Sequence, residues 1–185
     1  YVPLRHGRGE AATAQRSGDL FGGEDKPDGG ADADPDAEKQ LDPERALALM
    51  KPFLENPAIE KIGHNLKFDA LMLRAAGVSL ENIAYDSFIA AYLIDPGDRR
   101  FGLKTVAANL LGANMKTYED MVGKGKAQKK FSSVRVRDAV DYACADVDAA
   151  LRVEPPLTKS MAEAGLERVF SEIEMPLIPV LMEME

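Results

Sequence analysis

The hydrophobic and polar positions of this chain alternate between short apolar runs and helical periods, which predicts an α/β fold. Ile59 to Ile62 and Ile83 to Tyr85 are apolar runs flanked by turn-forming residues, and we predict a strand for each. Tyr1 to Leu4 has the character of the end of another strand. Helical periods predict a helix that begins after Asp42 and further helices over residues 66–76, 88–94, 103–111 and 117–122.

A long helix is predicted from Ser132 or Ser133 onward. It has apolar residues at helical spacing, and we predict that this stripe faces the core: Val136, Val140, Ala143, Val147 and Leu151. Tyr142 and Asp146 are expected beside the stripe rather than on it. Pro155-Pro156 should break or kink the helix, because proline has no N–H to donate.

Composition indicates one soluble domain with a sizeable core, since 45% of the 185 residues are hydrophobic and 29% are charged. No apolar run approaches the roughly 20 residues that span a bilayer, and no signal-peptide pattern is present. The single cysteine, Cys144, excludes an internal disulfide framework, and His6 and His64 without a cysteine cluster do not support a zinc site. We therefore expect a cytoplasmic protein without a membrane partner. The chain begins at Tyr1 and looks like an excised fragment.

The net charge of −8 is distributed unevenly. Residues 7–41 contain nine acidic and four basic residues, few large apolar side chains and no helical period, which predicts a flexible acidic surface loop. Basic residues concentrate later in the chain, at Arg99, Arg100, Lys124, Lys126, Lys129, Lys130, Arg135 and Arg137. The acidic total therefore does not exclude a nucleic-acid partner.

Two segments carry candidate chemistry. The first runs from Gly63 to Asp69, where a strand ends and a helix begins, with Asn65 at the N-cap and Asp69 about one turn inside. In the second, Tyr142 and Asp146 are four residues apart and share a helix face. Carboxylates are preferred ligands of Mg²⁺ and a phenol can orient a water molecule, so this set suits metal-assisted phosphodiester hydrolysis. Each piece alone is more often a capping or surface residue.

Taken together, these segments resemble the proofreading 3′→5′ exonuclease domain of bacterial family A DNA polymerases, the DNA polymerase I type. The resemblance covers about residues 42–185 together with Tyr1 to Leu4. The blocks that carry it, in order, are Gly63-His64-Asn65-Leu66-Lys67-Phe68-Asp69, Ala84-Tyr85-Asp86-Ser87-Phe88, Ala91-Tyr92-Leu93, Gly123-Lys124-Gly125-Lys126, Tyr142-x-x-x-Asp146 and Met175-Pro176-Leu177.

The resemblance implies a ribonuclease H-like fold, with a central mixed sheet flanked by helices. Only two or three strands are visible, too few for a stable sheet, so we expect the N-terminal strands to be missing from this fragment. Residues 1–172 would form the partial exonuclease domain, and residues 173–185 would begin the junction to a polymerase domain in the same chain.

The family holds two Mg²⁺ or Mn²⁺ ions with four carboxylates. By resemblance, Asp69 and Asp146 are metal ligands and Tyr142 orients the attacking water. The Asp-x-Glu of the first motif is absent; Asp36-Ala37-Glu38 and Asp42-Pro43-Glu44 do not follow an apolar strand and are rejected. We therefore expect this fragment to be inactive alone, and the parent chain to release nucleoside 5′-monophosphates from single-stranded DNA 3′ ends.

The resemblance also implies the residues that bind the substrate. His64, Asn65, Lys67 and Phe68 would contact the terminal nucleotides, and Arg100 and Phe131 would contact the strand upstream. The carboxyl groups of Asp69 and Asp146 should lie within about 10 Å of each other, since paired catalytic ions are about 4 Å apart. Neither should be buried in a structural ion pair.

Two alternatives stay open from the sequence. One is an inactive exonuclease-like scaffold for the polymerase, because the first motif is missing. The other is a ribonuclease D-like exoribonuclease, which shares the fold and the second and third motifs. We expect a monomer associated with the nucleoid.

Overall fold

The computed structural model describes residues 40–185. Tyr1 to Leu4, Asp36-Ala37-Glu38 and all of the acidic loop except its last two residues lie outside this part of the chain. The described residues combine a small parallel sheet with helices, which confirms the α/β class predicted from the sequence.

In chain order, the described elements are α1 (Pro43–Leu54), β1 (Lys61–Gly63), α2 (Leu66–Ala75), β2 (Ile83–Asp86), α3 (Ser87–Ile94), α4 (Leu103–Leu111), α5 (Tyr118–Val122), α6 (Val136–Ala164), α7 (Glu167–Val169) and α8 (Met175–Met184). Short 3₁₀ turns occupy Gly125–Ala127 and Phe131–Ser133, and a π-helical turn, Phe170–Glu174, joins α7 to α8.

Local capping chemistry fixes the start of α1 and the end of α4 where the sequence predicts them. The Asp42 carboxylate accepts hydrogen bonds from the N–H groups of Glu44 and Arg45, and Pro43 is the first residue of α1. Helix α4 ends at Gly112, whose φ of 63° is left-handed and costs glycine little.

The two strands are parallel, with Gly63 opposite Asp86 at their carboxyl ends. The first strand begins later than predicted, at Lys61 rather than Ile59. Asn56 is the cause: its carbonyl accepts from the Ile59 N–H and its side chain from the Ala58 N–H, which makes a turn of these residues. The strand order places Gly63-His64 beside Asp86-Ser87.

Helix α6 packs against α3 and α4, and its inward face differs from the predicted stripe. Val147 is 71% exposed and Leu151 is 58% exposed, so the prediction that they line the core is wrong for the described part of the chain. The buried positions of α6 are Ala139, Ala149, Val153, Leu157 and Met161. Tyr142 and Asp146 continue this inward face by their three- and four-residue spacing.

The prediction that Pro155-Pro156 breaks the long helix is also wrong, because α6 continues through both prolines to Ala164. Each proline removes the donor for a carbonyl four residues earlier, at Leu151 and Arg152. Both of those residues are exposed, so water can satisfy their carbonyls. Val153 and Leu157, on either side, are buried and hold the helix in place.

Helix α8 docks through Ile178, which is only 3% exposed. Ion pairs at its end, Lys67 with Glu185 and Arg74 with Glu183, connect it to α2. Within residues 40–185, no helix combines the length and the apolar character that crossing a membrane would require.

Candidate active site

Asp86 organises the first half of the site. This carboxylate is 1% exposed and lies where β2 ends. It accepts hydrogen bonds from the N–H groups of Asn65 at 2.8 Å, Leu66 at 2.7 Å and Phe88 at 2.9 Å. One side chain therefore caps the start of both α2 and α3, and it fixes the backbone that carries the Gly63–Asp69 motif.

Ser87 and His64 form a second buried connection between the strands. The Ser87 hydroxyl donates to the Gly63 carbonyl at 2.9 Å, so its oxygen accepts from His64 Nδ1, also at 2.9 Å. This assignment places the proton of a neutral imidazole on Nδ1. Burial lowers the pKa of His64, although the negative charges of Asp86 and Asp146 and the Phe101 carbonyl oppose the shift.

The surface of this half presents several predicted site residues. Asn65 is the α2 N-cap with φ 61° and ψ 48°, and its side chain makes no capping hydrogen bond, because Asp86 already caps the helix. Phe68 is 60% exposed. Lys67 pairs with Glu185. Partial desolvation raises the pKa of the Asp69 carboxyl, and the negative charge of Asp86 raises it further.

The second half of the site lies between α4 and α6. The Lys104 ammonium contacts Asp146 Oδ1 at 2.9 Å and lies 4.0 Å from the centre of the Tyr142 ring. The side chains of Lys104 and Asp146 are 27% and 29% exposed. The expectation that Asp146 is not buried in an ion pair therefore holds only in part: the pair exists, but it is partly exposed.

An aromatic series borders Tyr142. Phe131 stacks on Tyr118 with ring centres 5.9 Å apart and planes 17° apart, and it also contacts the Tyr142 ring, with centres 5.9 Å apart. Tyr118 is 45% exposed. Arg100 is mostly exposed, and its guanidinium donates to both carboxylate oxygens of Asp98, at 2.9 and 3.3 Å. This ion pair raises the pKa of Arg100.

The two halves are coupled electrostatically at His64, because the negative charges of Asp86 and Asp146 both favour its protonated form. The charge of Asp86 also acts on the Asp69 carboxyl. Residues 40–185 contain no group of three or more His, Cys, Asp or Glu side chains placed to hold a metal ion. Asp69 and Asp146 therefore do not make a complete metal site within this part of the chain.

Four residues of the site were missed as functional candidates: Lys104, Asp86, Ser87 and Tyr118. Asp86 and Ser87 belong to one of the blocks that carry the resemblance but have no predicted role, because their contacts with the Gly63–Leu66 segment arise only when the two strands pair. Tyr118 follows a capping-box threonine, Thr117, so the sequence predicts that a helix begins there. It does not predict that Tyr118 stacks on Phe131. Lys104 carries no sequence signal, since its partner is 42 positions away.

Comparison with known proteins gives consistent results. A family model described as 3′-5′ exonuclease matches residues 29–162. DNA polymerase I of Rhizobium leguminosarum is 35% identical over 185 residues, which is 100% of this chain and 16% of that protein. DNA polymerase I of Pseudomonas aeruginosa is 35% identical over 150 residues, 80% of this chain and 16% of that protein. The chain thus spans about one sixth of these relatives.

Two solved structures are similar in shape. One is described as the POL domain of Pol1 from M. smegmatis in complex with DNA primer-template and dNTP. It has a TM-score of 0.61 and 25% identity over 79% of this chain and 22% of that one. The other is Brucella melitensis NrnC, with a TM-score of 0.59 and 23% identity over 72% of this chain and 61% of that one. The likeness supports the ribonuclease H-like exonuclease fold predicted from the sequence.

Proposed function

The chain belongs to the 3′-5′ exonuclease domain family of bacterial DNA polymerase I, and from this premise we propose that it proofreads. It would remove nucleotides one at a time from the 3′ end of single-stranded DNA and release nucleoside 5′-monophosphates. The observation that carries this proposal is that α6, which carries Tyr142 and Asp146, packs against β1, which leads into the Asp86-organised Gly63–Asp69 motif, in a chain matched by this family over residues 29–162.

The described residues offer half of the ligands that a site for divalent cations, Mg²⁺ or Mn²⁺, would need. Asp69 and Asp146 would supply two carboxylates, and we propose that the remaining ligands, an Asp-x-Glu pair, belong to the parent polypeptide outside these 185 residues. Two such ions, when bound, would supply an activated water and stabilise the leaving oxygen. The raised pKa of Asp69 suits a carboxylate that gains from a nearby cation.

The substrate contacts follow from exposure and chemistry. The Tyr142 phenol would hydrogen-bond the attacking water. Phe68 offers an exposed ring for stacking of a terminal base, and the Tyr118–Phe131 pair offers a second aromatic surface. His64, Asn65 and Lys67 would bind the terminal nucleotides, with the neutral imidazole of His64 held by Ser87. Arg100 would bind a phosphate upstream, in exchange for its exposed pair with Asp98.

We also propose the setting in which the domain works. The relatives are named DNA polymerase I and are about six times longer than this chain, which supports a polymerase domain in the same polypeptide. Residues 173–185 would begin the junction to it, and residues 1–172 would belong to the exonuclease domain. A monomer acting on nucleoid DNA in the cytoplasm suits this arrangement.

The test uses the natural full-length polypeptide that contains residues 1–185, a 3′-labelled single-stranded DNA and Mg²⁺. Asp146→Ala should lower the digestion rate by about a thousandfold or more, because it removes a metal ligand. Asp148→Ala is the matched control: Asp148 is on the same helix, is exposed and forms a local ion pair with Arg152, so the digestion rate of this variant should not change.

Three results would contradict this proposal. Equal rates in Asp146→Ala and wild type would remove Asp146 from the mechanism. An inactive wild type would support the scaffold alternative, and faster digestion of RNA than of DNA would support the exoribonuclease. The 185-residue chain tested alone should be inactive, since two carboxylates hold divalent ions weakly.

A further inference from the structure

Lys104 contacts both candidate catalytic side chains of α6 at once. Its ammonium lies 2.9 Å from Asp146 Oδ1 and 4.0 Å from the centre of the Tyr142 ring. Asp146 and Tyr142 are one helical turn apart, so a single cation bridges the turn on which they lie.

The position of Lys104 is not explained by the stability of its own helix. It is the second residue of α4, where the positive end of the helix dipole disfavours a cation. The first turn of α4 contains no acidic residue, and Gly102 provides no side-chain cap. Burial of Val106 and Ala107 holds α4 in place instead.

The ion pair is also unlike its neighbours on α6. Asp138 pairs with Arg135 and Arg137, and Asp148 pairs with Arg152, all within four positions along the chain and at the surface. Asp146 takes its partner from another helix, at a site that is about three-quarters covered. Lys104 therefore engages the one carboxylate of α6 that the proposed mechanism needs.

We propose that Lys104 is a positioning residue that takes the place of a divalent cation on Asp146 and holds the Tyr142 ring beside it. This inference rests on the proposed function, because it gives Asp146 the role of a metal ligand. When a divalent ion binds Asp146, the ammonium must leave that carboxylate, but it stays against the Tyr142 ring as a repelling neighbour of the ion. Lys104 therefore weakens metal binding and keeps Tyr142 in place.

The primary experiment measures Mn²⁺ binding to the natural full-length polypeptide without DNA, from the electron paramagnetic resonance signal of free Mn²⁺. Binding that is lost in Asp146→Ala is assigned to this site. Lys104→Met keeps the apolar stem and removes the charge, so it should tighten this binding by about tenfold, from simple Coulomb repulsion in a solvated site. Lys104→Arg keeps the charge and should resemble wild type.

Lys159→Met is the matched control. Lys159 is an exposed lysine of α6 that pairs with Glu163, and it lies about 20 Å along the helix from Asp146. Its Mn²⁺ affinity should equal that of wild type. A second readout is hydrolysis of single-stranded DNA at saturating Mn²⁺. Lys104→Met should lower kcat by about tenfold, because Tyr142 is no longer held, with little change in KM.

The direction of the binding change separates this role from a structural one. Loss of packing around Asp146 would weaken Mn²⁺ binding, whereas removal of a repelling charge should tighten it. Unchanged or weaker binding in Lys104→Met, with an active wild type, would overturn the inference and leave the proposed function intact. A wild type with neither Asp146-dependent Mn²⁺ binding nor exonuclease activity would overturn both.

Discussion

The two halves of the site are held in different ways. The Gly63–Asp69 half is fixed by backbone groups: three N–H donors converge on the buried Asp86, and the Ser87 hydroxyl binds the Gly63 carbonyl. The α4–α6 half depends on side chains, with one partly exposed lysine between Asp146 and Tyr142. The first half is therefore preorganised by the fold, while the second can rearrange by moving a single flexible side chain.

The strongest way to break this contrast is to remove Asp86. Asp86→Ala removes the acceptor of three partly buried backbone donors at two helix starts, and we expect a loss of about 2 to 4 kcal/mol in local stability, since one cap contributes about 1 to 2 kcal/mol. Hydrogen–deuterium exchange in α2 and α3 of the natural polypeptide would measure it. Asp86→Asn, which keeps one carbonyl acceptor, should lose less. Equal protection in Asp86→Ala and wild type would show that the cap is dispensable.

Two valines of α6 test which face of that helix is the core. Val153→Ala removes two methyl groups from a fully buried position and should cost about 2 kcal/mol. Val147→Ala changes a side chain that is 71% exposed and should cost less than about 0.5 kcal/mol. Urea denaturation followed by hydrogen exchange of α6 compares them. A larger loss at Val147 would restore the stripe predicted from the sequence.

Gly63 tests how tightly the backbone-held half is packed. A methyl group added there would lie 2.5 Å from Leu66 Cδ2 and 2.8 Å from its Cγ, so Leu66 must move. We expect Gly63→Ala to cost about 1 to 2 kcal/mol and to lower exonuclease kcat. In the control, Gly97→Ala, the added group meets Asp95 Oδ1 at an ordinary 3.4 Å, and neither stability nor kcat should change.

The smallest effect is the dependence of stability on the His64 charge. Burial lowers the pKa of His64 in the folded state below its ordinary 6.5, so the folded protein binds fewer protons than the unfolded one. Its contribution to stability is therefore complete above pH 6.5 and is lost as the pH falls toward the folded pKa. Between pH 7 and pH 5, the free energy of unfolding should fall less in His64→Gln than in wild type, and the difference should be under about 1 kcal/mol. Urea denaturation at the two pH values measures it. A steeper loss in His64→Gln would contradict the assignment.

The parts of the fold set by neighbouring residues were predictable from the sequence. Asp42 with Pro43 starts α1, and Gly112 ends α4, because capping depends on residues within one turn. The inward face of α6 was not predictable in the same way. Apolar residues occur on two faces of this helix, and the prediction followed the valine-rich face of Val147, whereas the buried face begins with alanines, at Ala139 and Ala149, and continues through Val153.

The candidate site also combines features set by sequence neighbours with features set by residues far away in the chain. Asn65 at the α2 N-cap could be read from the strand–glycine–helix pattern, and the structure places it there. The metal and substrate roles assigned by resemblance stay predictions. Asp86 acting on α2 and Lys104 acting on Asp146 could not be read, because their partners are 20 and 42 positions away and meet only when strands pair and helices pack.

The geometry around Asp86 limits which amino acids position 86 can accept. Its two oxygens serve three donors, two on Oδ1 and one on Oδ2. Glutamate is one methylene longer, so its oxygens would collide with the backbone N–H groups that they should bind. Serine has one oxygen and would reach the start of only one helix. A shorter or longer side chain could therefore cap the start of α2 or of α3, but not both. Substitution of Asp86 alone should therefore rarely be tolerated in a functional protein, whereas exposed residues of the neighbouring turns can be substituted.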